Sequence, residues 1–335
     1  MLFLGILAQP QVSVIIPLYN HYQHINNSIQ SILSQSYSNF NIIVVDDAST
    51  DGSSVIVQKL SADPRITFIQ HKTNMGPFQA RLTALSRTNA TYVLFVDADD
   101  LLNNPNIIQL SVFQAEKYKA DCVQFSELVS NLEWTKPYDW GNPPAYGPQK
   151  RHFMLQKWAE LGVGTALHGK LMKTSVLKEA VQFLSEKVNG VEEKKIYYAE
   201  DLLIMIAFHF VSDVYVGIKD VGYLYFDRVE SSTEKSLKMY QGALKRAEDT
   251  AYVVKQLMNL GMKQYNKQFK EQIYRIFLNA IKKIDIKLLI SQKTAICSTY
   301  LDTMIIGNKL SQSIIEDCCS CVKKKYTGVF DKQEV

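Results

Sequence analysis

From residue 12 to about 125, short apolar runs alternate with segments of helical period, and this rhythm limits the fold more than any other feature. "VSVII" (12–16), "NIIVVDD" (41–47), "ITFIQ" (66–70) and "YVLFVD" (92–97) read as strands. Between them lie Ile25, Ile29, Ile32 and Leu33 at helical spacing, then "SSVIVQKL" (53–60), then "PFQARLTALSR" (77–87) opened by Pro77. The apolar runs are continuous rather than alternating, as strands are when helices cover both faces of a parallel sheet. Strand–helix alternation of this kind predicts an open α/β sheet. In such sheets ligands bind at the carboxyl ends of the strands.

That rule gathers the polar residues at one edge. Pro17 and Tyr19 follow the first strand, Asp46 and Asp47 end the second, and Asp97, Asp99 and Asp100 end the fourth. Three like charges within four positions repel one another, and a fold does not need them. Carboxylates are hard ligands for Mg²⁺ or Mn²⁺, and a divalent ion would relieve the repulsion. A helix cap after the strand is the plainer alternative, although one acid would suffice for it. "DDASTDG" (46–52) likewise fits either a ligand contact or an Asx turn, with Asp51 or Ser53 capping the next helix. Arg81 can sit under a phosphate, pair with a strand-end acid, or form a surface ion pair. Glu200 and Asp201 in "YYAEDLLIMIAF" precede an apolar helix, where they can cap it or supply a general base. Arg228, Ser231 and Ser232 fall on a loop after a strand, where Arg and hydroxyls can close over phosphate. His168 and His209 are weaker candidates, since a lone His in an apolar run is more often part of a core.

The 335 residues suggest about two domains, and 47% hydrophobic with 21% charged residues suits a globular chain. A net charge of +4 does not by itself call for nucleic acid, and none is expected as a partner. Five cysteines, three of them in "CCSC" (Cys318, Cys319, Cys321), match neither a disulfide framework nor a standard zinc spacing; reduced thiols in a cytoplasm are expected. The apolar "MLFLGILAQP" start is too short to span a bilayer, which takes roughly 20 apolar residues, and no later window is long enough. Residues 131–150, with four prolines and two tryptophans, read as an aromatic loop. From about 236 to 325 the pattern is helical and Lys-rich, either a solvated face or a surface for anionic lipid.

"VSVIIPLYN", "IIVVDDASTDGS", "NMGPFQAR", "YVLFVDADDLL" and "YAEDLL", in this order and spacing, resemble the family-2 glycosyltransferases of GT-A fold. The likeness is specific over about 12–101 and looser to about 233 through "HGKLMKTSVL"; it closely resembles bacterial lipooligosaccharide and capsule enzymes, β-1,3-galactosyltransferases among them. It implies a Rossmann-like, mostly parallel sheet with a nucleotide-sugar half (1–110) and an acceptor half (111–235); it does not cover the C-terminal hundred residues, where the pattern alone predicts a helical region (236–335). It implies a UDP-sugar donor, a glycan or glycolipid acceptor, Mn²⁺ or Mg²⁺, and inversion at the anomeric carbon; the cysteines and the basic C-terminal pattern suit a cytoplasmic protein, in peripheral contact with the membrane if that basic face is a lipid surface. Residue by residue, Pro17, Tyr19 and Asp46 would contact the uridine, Arg81 would lie near the nucleotide, and Asp97 would hold the ribose. Asp99 would ligate the metal, Asp201 would be the base with Glu200 beside it near the acceptor, and Arg228 and Ser232 would cover the diphosphate. Leu82 stands where the family often has Asn, and Asp227 and Glu230 make the late loop less basic than usual. Two other classes share parts of the pattern. Aspartyl-nucleophile phosphatases use Asp-x-Asp after a strand, and phosphate-receiving regulators carry an acid pair like that of "VVDDAST".

Overall fold

The structure is a computed structural model that describes residues 11–131, 135–137, 143, 146–161, 165–227, 245, 249, 250, 252, 253 and 255–257. All of them fall within one compact unit, 1–283. The N-terminal apolar decapeptide, Arg228, Ser232, Trp134, Trp140, the cysteine cluster and the basic stretches at 282–290 and 323–325 lie outside the described residues.

Strands β1 (Val12–Leu18), β2 (Phe40–Asp46), β3 (Ile66–Gln70) and β4 (Tyr92–Phe95) pair in parallel in the order β3-β2-β1-β4. They are joined by α1 (Ile25–Leu33), α2 (Ser53–Leu60) and α3 (Pro77–Arg87). After β5 (Leu101–Leu102) and α4 (Ile107–Tyr118) come β6 (Cys122–Ser130), β7 (Thr135–Pro137), β8 (Gly147–Gln149) and α5 (Phe153–Leu161). The chain continues through β9 (Lys170–Lys173), α6 (Thr174–Lys187), α7 (Glu200–Val211) and β10 (Tyr215–Phe226). The sheet extends past β4 as β9-β6-β10-β5. β9 is antiparallel to both β4 and β6, while β10 is parallel to β6. One reversed strand thus joins two parallel groups, and it brings its own start to the edge where β4 ends, with Phe95 bridging His168. The stretch 131–150, expected to be a loop, contributes two short strands, β7 on β6 and β8 on β10. Each carries a proline, Pro137 or Pro148, which suits marginal strands rather than central ones.

The pleat divides the core. Val12, Val14, Ile16 and Leu18 of β1 join Ile25, Ile29 and Ile32 of α1 and Val57 of α2 in one buried cluster. Ile15 and its neighbours turn to the other face, which α3 covers. α7 is buried on nearly every side from Leu202 to His209 and packs on α3, α5 and α6. A helix apolar all round belongs inside a protein. Its burial fixes the position of the two acids in its first turn.

Candidate active site

β1 lies between β2 and β4, so the chain runs to opposite sides after these strands and a crevice opens at their carboxyl ends. Its floor is the turn after β4. The three aspartates there have three different tasks. Asp100 is 1% exposed and points inward, where the Tyr223 hydroxyl donates to Oδ2 at 2.8 Å and the Phe226 N–H to Oδ1 at 2.9 Å. Burial, then Asp99 and Asp97, hold its pKa well above the usual carboxylate range. Asp97 faces the rim, with its side chain 31% exposed and its Oδ1 3.1 Å from Arg81 Nη2. Asp99 is also at the rim, 4.0 Å from His21 Nδ1. The aspartate triplet is therefore one acid spent on the fold and two acids presented.

Arg81 is the link to the second acid group. It extends from the buried side of α3 and is itself 7% exposed. Nη1 donates to Glu200 Oε1 at 2.5 Å while Nη2 reaches Asp97. Residues 81, 97 and 200, far apart in sequence, thereby meet through one guanidinium. Glu200 is pushed up to about 7, by burial first and also by Asp201, with Arg81 pulling the other way. Burial raises Asp201 as well, against Arg81, the Leu202 N–H and His168. A carboxylate raised by burial and restrained by cations, beside a crevice, is a general-base candidate. The backbone leading to it is unusual, since Ala199 has φ 62°. Non-glycine residues rarely adopt that conformation, and it occurs at functional turns.

The acids at the end of β2 turn toward protein donors. Asp46, which the resemblance sets against the uridine, is fully buried. It accepts from Ser49 N–H (3.1 Å), the Ser54 hydroxyl (2.6 Å) and the Gln70 amide (2.9 Å). A carboxylate spent on three protein donors braces its own loop. Asp47 is 3% exposed and does the same for the next connection, taking His71 Nδ1 at 2.7 Å and the N–H groups of Met75 (2.8 Å) and Gly76 (2.7 Å). The β1 and β2 loops are knitted together as well. Asn20 N–H donates to the Ser49 hydroxyl, Thr50 N–H to Asn20 Oδ1, His21 N–H to the Ser53 hydroxyl and Tyr22 N–H to Asp51. Pro17 sits half-buried in β1, and Tyr19 beyond it is 42% exposed at the crevice mouth. Tyr197 completes this wall, its phenol raised by burial and then by Asp47, Asp249 and Tyr19.

Under the rim lies a further charged group, of which sequence reasoning weighed His168 but missed Glu127 and Lys170. Glu127 of β6 is fully buried, and its Oε1 lies 3.0 Å from His168 Nδ1. The His168 imidazole is raised to about 9 against its burial, chiefly by Glu127 and then by Asp97 and Asp100. Lys170, 1% exposed, donates to the carbonyls of Ala166 and His168, and burial lowers its pKa. The signal in the sequence was "HGK" itself, two bases at the head of an otherwise apolar run.

Among the described residues no three His, Cys, Asp or Glu side chains are placed to cage a metal ion. Asp100 turns inward and Asp97 lies on Arg81, while Asp99 sits at the rim 4.0 Å from His21 Nδ1. One carboxylate with open positions suits Mg²⁺ or Mn²⁺, which keep waters and accept phosphate oxygens rather than requiring an all-protein cage.

Residues 13–179 match the family model described as glycosyl transferase family 2. An uncharacterized glycosyltransferase of Rickettsia bellii is 37% identical over 114 residues, 34% of this chain and 16% of that protein. The glycosyltransferase GlyA of Streptococcus pneumoniae is 29% identical over 206 residues, 54% of this chain and 29% of GlyA. The chain thus spans well under half the length of these two relatives. In fold it is similar to S. aureus TarS 1–349, solved in complex with UDP-GlcNAc, with a TM-score of 0.55 and 18% identity over 88% of this chain and 89% of that one. The sheet order and the match agree: residues 13–179 form a domain of glycosyl transferase family 2, on the GT-A fold.

Proposed function

We propose that the protein transfers a hexose or N-acetylhexosamine, galactose-type in the first instance, from a UDP-sugar to a glycan hydroxyl, with inversion, in the making of a bacterial surface polysaccharide or lipooligosaccharide. The observation that carries this is the bridge from Asp97 through Arg81 to Glu200, which sets the β4 rim and the α7 acids around one crevice. A neighbour of the same fold that binds UDP-GlcNAc supports a nucleotide-sugar donor. The phosphatase and receiver readings lose support here, since the acids they would need are ion-paired (Asp97) or sealed (Asp46).

In this reading Tyr19 and Pro17 flank the base, Asp97 holds the ribose, and Arg81 fixes Asp97. Asp99 would hold Mn²⁺ or Mg²⁺, which when bound supplies Lewis-acid stabilisation of the leaving diphosphate. Asp201 takes the proton of the acceptor hydroxyl as that oxygen bonds to the anomeric carbon from the face opposite UDP. The bond from that carbon to the diphosphate oxygen breaks, and its electron pair leaves with UDP. Glu200 lies beside Asp201 on the acceptor side, and Arg228 and Ser232 close over the diphosphate. The protein works at the cytoplasmic side of a membrane, touching it through its basic C-terminal stretches.

A panel of UDP-sugars with Mn²⁺ and a glycan acceptor tests the reading. Removing general-base help costs roughly 10²–10⁴ in rate, so Asp201→Asn should bind UDP as the parent does and lose turnover on that scale. Parental turnover in that variant would remove Asp201 from the mechanism. Asp99→Ala should lose the Mn²⁺-dependent part of UDP affinity in calorimetry, and an unchanged affinity would refute the ligand assignment.

A further inference from the structure

The Glu127–His168 pair belongs to no step above, yet it is built into the floor of the crevice. His168 heads the reversed strand β9 and pairs with Phe95 at the end of β4. Its ring lies flat on Tyr223, with centroids 4.7 Å apart and planes 13° from parallel, and also stacks on Tyr225 at 6.1 Å and 16°. Glu127 fixes the ring's rotation through Nδ1. Behind the pair, Gly169 has φ +68°, and a Cβ there would come within 1.7 Å of Glu127 Oε1, so only glycine leaves room for this carboxylate. Tyr223, fully buried, is the residue that touches the aspartate turn. Its hydroxyl donates to Asp100 and accepts the Asp97 N–H at 3.1 Å. The contacts form a chain: Glu127 to the His168 ring, that ring to the face of Tyr223, and the Tyr223 hydroxyl to both ends of the aspartate turn.

We propose that His168, held by Glu127, is a positioning residue that sets the Asp97–Asp100 turn through Tyr223 and so holds Asp99 in place for a divalent cation and the diphosphate of the donor. It touches neither substrate nor cation. The proposal presupposes that the rim takes a UDP-sugar and a divalent cation, and the test separates the two ideas.

His168→Ala, His168→Phe, Tyr223→Phe and the His168→Ala/Tyr223→Phe double variant are compared in the 335-residue chain. An aromatic stack is worth roughly 0.5–1.5 kcal/mol, equivalent to a factor of about 2–13, so His168→Ala should weaken Mn²⁺-dependent UDP binding within that range. His168→Phe keeps a ring against Tyr223 and should recover most of the loss. Because one residue acts through the other, the double variant should be no weaker than the worse single variant, whereas independent packing losses would add. A second arm needs no ligand. Hydrogen exchange at the Asp97 amide, whose N–H is held by Tyr223, should speed up in His168→Ala, and in the double variant no more than in Tyr223→Phe. Parental protection of that amide in His168→Ala, or additive losses in the double variant, would overturn the proposal. If the parent itself binds no UDP with Mn²⁺, the reading of the site fails and the exchange arm alone decides the role of His168.

Discussion

Glu200 sits where burial and charge pull in opposite directions, and this gives it a measurable signature. Its folded pKa, about 7, lies above the ordinary glutamate value, so between roughly pH 4.5 and 7 the folded chain binds more protons than the unfolded one. Stability from this group is therefore complete below that window and is lost as pH rises through it. Urea unfolding of the parent should show stability falling with pH across the window relative to Glu200→Gln, and parallel curves would contradict the assignment. At this scale the sequence was partly legible. The acids at 97, 99, 200 and 201 stood out because charge at the end of an apolar run is conspicuous. What each acid does was not legible, because that depends on partners far away. Asp46 and Asp99 look alike in sequence, yet Ser49, Ser54 and Gln70 absorb the first while the second faces the rim. Arg81 could have been a surface cation, and only the folded chain shows it buried between two carboxylates.

Among the elements, β1 to β4 and α1 to α3 fell close to where the apolar rhythm put them, because continuous Val/Ile runs and helical spacing are local signals. β9 was hidden, and β10 showed only its end before the Arg228 loop, for the opposite reason. β9 begins with the buried Lys170, and β10 is interrupted by the exposed Lys219 and Asp220 at an irregular register, so neither presents an unbroken apolar run. The turn before α3 shows how elements fix one another. Gly76 has φ +89°, and a Cβ there would lie 2.8 Å from the Ile196 carbonyl, in the segment that leads to Glu200. Gly76→Ala forces a conformation that side chains avoid and pushes that segment away. It should cost roughly 1–3 kcal/mol in urea unfolding and lower turnover more than UDP affinity. Full activity with parental stability would show that the two backbones do not constrain each other. Across the same gap, Asp249 accepts the Tyr197 N–H at 2.9 Å, so residues well beyond the family match also brace the approach to the acids.

For the whole molecule, no helix among the described residues is long and apolar enough to cross a membrane. Peripheral contact through the Lys-rich C-terminal stretches is open to direct measurement. Each basic residue near an anionic surface is worth about 1 kcal/mol and is screened by salt. The chain should co-sediment with vesicles rich in anionic lipid at low ionic strength and be released as salt is raised. Equal recovery with neutral and anionic vesicles would rule out that mode of contact.

The bonds from β10 to Asp100 also have a consequence in time. The partners of this buried carboxylate, Tyr223 and Phe226, lie 123 and 126 residues further along the chain. At roughly 5–20 residues per second, a ribosome needs on the order of 6–25 s to supply them after it has made Asp100. Through that interval the nascent first half can assemble its apolar strands and hold Asp97 from Ser28 and Arg81, but it lacks both donors to Asp100. The rim should become competent only late in synthesis, when β10 emerges and closes the crevice floor.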